Sequence, residues 1–91
     1  MTGRVHVLSK PPEHARHKRC LKLLDPEDTL VLTEAGLQLL AKPDPMEGIN
    51  AGWVVALTEP PETLTRPDNV GFMDHATFVE KLLARHQPVF W

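Results

Sequence analysis

Residues 4–24 read RVHVLSKPPEHARHKRCLKLL, and this stretch decides the fold because it contains one complete strand, turn and helix. Val5–Leu8 is a short aliphatic and β-branched run that stops at SKPP (9–12), and proline cannot continue a central strand. Residues 13–24 lack glycine and proline and read as a helix. At about 100° per residue, Leu23, Cys20, Leu24, His17 and Leu21 fall on one arc, and Lys18, Lys22, Ala15 and Arg19 on the opposite one. The helix is amphipathic, with a basic outer face.

The same alternation continues beyond it. DPED (25–28) is a turn, and TLVLT (29–33) is a continuous apolar and β-branched run that suits a strand covered on both faces. EAGLQLLAK (34–42) gives a short helix with Gly36 near its start and Pro43 just after its end. Strand and helix taking turns favours a parallel sheet. Residues 43–52 are a proline- and glycine-rich loop, and WVVAL (53–57) is a third strand, ended by EPPE at 59–62. The span 63–66 has room for at most one helical turn before Pro67. VGFM (70–73) is a short fourth strand, and Asp74 is placed to cap the helix at 75–86. That helix has Phe78, Leu82, Val79, Leu83 and Ala76 on one arc, which His75 and His86 join. The tail QPVFW (87–91) is too apolar to be left in water, so Phe90 and Trp91 are expected to pack on this domain or on a neighbour. The expected architecture is a single domain over 1–91, a small three-layer α/β/α sandwich with a mainly parallel four-stranded sheet.

Composition bounds the function. Ninety-one residues support one core, and a domain this small buries only about 60% of its unfolded surface, so a partner subunit would stabilise it. With 42% apolar and 24% charged residues the chain is ordinary for a soluble globular protein. No stretch approaches the roughly 20 apolar residues of a membrane span. One cysteine and no apolar leader point to a reducing cytoplasm. Net charge is −2 but uneven: residues 1–24 carry six basic and one acidic side chain, residues 25–91 four basic and eleven acidic. Such a split suits an anionic partner, complementary subunits, or simply a solvated helix face.

Cys20 is the main candidate for chemistry. A reactive thiol needs its thiolate stabilised, and Arg16, Lys18 and Arg19 lie within a turn of it. The opposing reading is a small buried hydrophobe, because Cys20 falls mid-helix on the apolar arc. His14, His17 and Cys20 form H-x2-H-x2-C, but successive three-residue helical steps rotate side chains apart, a poor fit to tetrahedral zinc. His6 lies within a strand, where a satisfied structural histidine is the default. There is no glycine-rich phosphate loop and no C-x-x-C, H-E-x-x-H or G-x-S-x-G. Neither cofactor nor metal is expected, and no self-contained catalytic set is present.

These pieces resemble the TusB/DsrH family of sulfur-relay proteins. VHVLSKPPE is similar to the family's L-H-T-x-x-x-S-P-F, LVLTEAGL to L-L-L-x-x-D-G-V, VVAL to V-Y-A-L, and DHATFVEKLLARHQPVFW to D-Y-x-x-F-V-x-L-T-V-K-H with a terminal tryptophan. Cys20 matches the helix-one cysteine of the DsrH branch. Ala35 stands where the family has aspartate, and EPPETLTRP (59–67) replaces the usual helix after strand three. The resemblance implies a three-layer α/β/α fold and a heterohexamer with DsrE-like and DsrF-like (TusD/TusC-like) subunits. It also implies sulfur passed to a TusE/DsrC-like acceptor, for 2-thiouridine formation at the tRNA wobble position or for sulfur oxidation. tRNA would be met only indirectly, and a membrane not at all. In that setting this chain is an accessory, mainly structural subunit, with Cys20 as candidate persulfide carrier and Arg16, Lys18 and Arg19 as candidate thiolate stabilisers. The rivals are an RNA-binding module using the basic helix face, though without aromatics between the basic residues, and a scaffold without sulfur chemistry.

Overall fold

The β-branched runs form the sheet. The computed structural model describes residues 3–41, 49–57, 70–83 and 88–91. The strands are β1 (Val5–Leu8), β2 (Thr29–Leu32), β3 (Trp53–Ala56), β4 (Val70–Phe72) and β5 (Val89–Phe90), all parallel, in the order β4-β3-β2-β1-β5. Val7, Val31, Val55 and Gly71 align across four of them, and Val7 also meets Phe90. The sheet therefore has five strands where four were expected. The fifth comes from the apolar tail, whose two-residue strand is too short to show a period of its own but completes the outer side of β1.

Helices cover both faces, so the expected three layers are present. On one face, helix α1 (Ala15–Lys22) and a 3-10 helix (Glu34–Ala41) supply Cys20, Leu37, Leu39 and Leu40, with Leu24 just past α1. They pack on Leu8, Leu30, Leu32, Val54, Ala56 and Val70. On the other face, Phe78 and Leu82 pack on Val5, Val7, Val31 and Val55. Each leucine that is fully removed from water contributes roughly 1.5–3 kcal/mol. The connections from β1 to β3 run over the first face in one direction, and the crossover from β4 returns to β5 over the second. Reversing both direction and face keeps one hand, as parallel crossovers require.

Three local details differ from expectation. Helix α1 starts two residues late because residues 11–14 first make a turn, with the His14 amide donating to the Pro11 carbonyl at 2.9 Å. Leu23, placed on the apolar arc, sits at the C-cap and is 47% exposed. The 34–41 segment winds as a 3-10 helix, and its burial follows a period of three: Gly36, Leu37, Leu39 and Leu40 are buried while Gln38 and Ala41 are exposed. A β-carbon on Gly36 would overlap the Leu8 carbonyl, so this helix seats directly on the end of β1. Asp74 caps as expected, its Oδ1 accepting from the Thr77 amide at 2.8 Å. The helix it starts is α-helical only over α2 (His75–Thr77) and continues as a π-helix over Phe78–Leu83. Phe78 and Leu82 are buried, while Val79 in the wider-wound stretch and His75 and Ala76 in the α-helical turn before it are exposed. The expected helical turn at 63–66, the altered segment 59–67, most of the 43–52 loop and the helix end with His86 lie outside the described residues.

Gly36→Ala is expected to destabilise the domain by roughly 3 kcal/mol, because main chain rather than a flexible side chain must give way. A lower urea midpoint at unchanged slope would register the loss; an unchanged midpoint would contradict the close seating.

Candidate functional site

Helix α1 points Cys20 inward. None of its surface is exposed, and Leu8, Leu24, Leu30 and Leu32 belong to the same core cluster. Burial pushes the thiol up to about 12, so at neutral pH it is a protonated, small hydrophobe. Arg16, Lys18 and Arg19 are exposed, and desolvation is the one influence on the thiol. With the thiol protonated, these three expected stabilisers have no thiolate to act on in the folded domain at neutral pH. Their charges face water, whose screening leaves them little hold on a group buried beneath the helix.

The H-x2-H-x2-C run does not converge either. His14 is exposed and serves as the N-cap of α1, its Nδ1 accepting from the Arg16 amide at 3.1 Å. His17 is buried, with Nδ1 2.7 Å from the Lys10 carbonyl, a distance that assigns the proton to Nδ1. Among the described residues, no group of three or more histidine, cysteine, aspartate or glutamate side chains is arranged to hold a metal ion. Nor is any described helix long and apolar enough to cross a membrane.

The most developed polar network lies where β1 and β5 meet. His6 and Asp28 are both buried, and His6 Nε2 lies 2.9 Å from Asp28 Oδ2. On the other side of the ring, Trp91 Nε1 donates to His6 Nδ1 at 3.1 Å. An indole nitrogen only donates, so Nδ1 accepts, and the His6 proton sits on Nε2, directed at the carboxylate. Asp28 also accepts from the Arg4 amide at 2.7 Å and from the Asp25 amide at 3.1 Å. Desolvation alone would raise the Asp28 carboxyl, but these amide hydrogen bonds and the His6 ring outweigh it and hold the carboxyl below its ordinary range. A histidine oriented by a carboxylate is the arrangement of a general base. Here the free nitrogen is capped by Trp91 and the ring has almost no exposed surface, so the network is a clamp rather than a catalyst.

In the sequence His6 reads as a satisfied structural residue, with neither partner identifiable. Asp28 looked like a turn former and Trp91 like part of an apolar tail. The available signal was a histidine inside a strand destined to be covered, which requires two buried partners.

An open cleft of about 390 Å³ lies beside this network, lined by Ala15, Arg16 and Arg19 of α1 and by Val89, Phe90 and Trp91. It is here that the structure brings two of the predicted site residues, Arg16 and Arg19, next to the tail. Lys18 does not line it, and Cys20 lies under the helix.

Three outcomes test this description. Cys20 should resist iodoacetamide in the folded protein and react once urea unfolds it; rapid native alkylation, read by mass, would contradict its burial. Trp91→Phe should cost about 1–2 kcal/mol by leaving His6 Nδ1 without its donor, measured by urea unfolding. A carboxyl held low in the folded state stabilises it above the unfolded value of about 4, and that contribution fades as pH falls through the folded value. Asp28→Asn should therefore lower stability by about 2 kcal/mol at neutral pH and flatten the acid limb of stability against pH.

Compared with known proteins, the chain matches no family model, no curated protein and no solved structure.

Proposed function

We propose that this chain is a mainly structural subunit of a sulfur-relay assembly of the TusB/DsrH kind. It would combine with DsrE-like and DsrF-like subunits in a cytoplasmic heterohexamer that passes sulfur to a TusE/DsrC-like acceptor, for tRNA 2-thiouridine formation or sulfur oxidation. The observation that carries the reading is the state of Cys20: the single thiol of the chain is buried and protonated inside an all-parallel α/β/α domain. A domain of that class without a reactive group contributes shape and surface rather than chemistry. Persulfide carriage on Cys20 is subordinate in this reading, because a sulfur donor reaches the thiol only if α1 moves off the sheet. Exposed Trp53, Phe72, Val79 and Phe90 add support, since apolar side chains of this size are what a partner subunit covers.

Co-expression with DsrE-like and DsrF-like subunits, followed by size-exclusion chromatography, tests the assembly. The expected result is co-elution in one complex; this chain eluting alone would refute it. Incubating that complex with a persulfide donor is expected to leave this subunit's mass unchanged. A gain of one sulfur atom, lost in Cys20→Ala, would return Cys20 to the role of carrier.

A further inference from the structure

The cleft between α1 and β5 combines a cationic wall with a sheet edge. Arg16 and Arg19 are exposed and in no ion pair among the described residues. From Ala15 to Leu24 the chain has four basic side chains and no acidic one. On the other side, β5 pairs with β1 and closes the strand order, so its outer side is an open edge among the described strands.

The register shows what β5 contributes. Side chains alternate along a strand. Val89 is paired with His6 and shares its face, Trp91 returns to that face to meet His6, and Phe90, paired with Val7, turns its 63% exposed side chain to the other. Phe90 thus lines the cleft with its main chain. The Trp91 amide donates inward to the Val7 carbonyl at 2.9 Å, and alternation turns the N–H and C=O of Phe90 outward.

We infer that this cleft docks an extended, carboxylate-bearing segment of a partner protein, which hydrogen-bonds to the Phe90 main chain while its carboxylates meet Arg16 and Arg19. Spacing fits. Arg16 and Arg19 are three apart on a helix, roughly 5–6 Å between β-carbons, and alternate side chains of an extended chain stand roughly 7 Å apart. Strand addition of this kind takes affinity from the main chain and selectivity from alternate side chains. A nucleic acid fits less well. The Phe90 ring that would stack on a base points away from the arginines, and the cleft offers a single strand edge in place of an extended basic groove. The inference rests on the cleft alone and does not require sulfur relay.

The test uses the full chain and fluorescein-labelled short peptides that alternate glutamate with valine, read by fluorescence anisotropy. Comparison probes are the same peptide with its backbone amides methylated, the lysine–valine peptide, and a short oligouridylate. The glutamate–valine peptide should bind at low ionic strength, weaken with salt, and lose about tenfold in affinity with R16Q/R19Q. Both arginines are exposed, so the variant keeps its fold, which circular dichroism verifies. Amide methylation should also weaken binding, and the Phe90 amide should shift in a heteronuclear NMR titration. Absence of binding, binding indifferent to R16Q/R19Q, or an undisturbed Phe90 amide would overturn the proposal. Tighter binding of oligouridylate would overturn it in favour of a nucleic acid.

Discussion

A buried histidine held between a carboxylate and an indole ties together three neighbouring strands, β2, β1 and β5, on one side of the sheet. His6 lies on β1, Asp28 in the turn before β2, and Trp91 just after β5. Burying these groups unpaired would cost several kcal/mol, and paired they leave one arrangement in which every ring nitrogen has its partner. The carboxylate is itself fixed by two main-chain amides, and the Ser9 hydroxyl donates to the Trp91 carbonyl at 2.8 Å. The two-residue β5, which apolar burial alone would hold weakly, is thereby located against β1.

The rest of the architecture follows from that anchoring. Side chains alternate between the two faces of the sheet, and the helices divide between those faces according to the direction of each crossover. Cys20 enters the larger cluster because α1 must bury its apolar arc, and the basic side chains go to water for the same reason. Core packing accounts for the inward position of Cys20 and for the exposure of the basic side chains of α1. What remains outside the core is a surface: two arginines, a sheet edge and several large apolar side chains.

Much of this was legible from residues. Runs such as VHVL, TLVL and WVVA announce strands because β-branched residues fit a doubly covered sheet. Asp74 announces a cap because its carboxylate has few other uses there. Other features were harder. The 3-10 winding of Glu34–Ala41 is not legible, since Gln38 is the one polar residue in GLQLLA and a helix is expected at 3.6 by default. The π-helical stretch was not visible, because Phe78 and Leu82 satisfy either winding and only the exposure of Val79 distinguishes them. The site was less legible than the fold. Proximity in sequence puts Arg16, Lys18 and Arg19 near Cys20, yet their charged ends lie in water while the thiol is buried, and the partners of His6 lie 22 and 85 positions away.

That last separation bears on how the molecule assembles. Pairing β1 with β2 closes a short loop at little entropic cost, whereas seating Trp91 against His6 closes a loop that spans nearly the whole chain. Without that closure the outer side of β1 is bare and His6 lacks its indole. The rim of β1 is thus covered by residues from the far end of the chain, and a change that loosens Trp91 from His6 uncovers a strand edge able to pair with a stray strand.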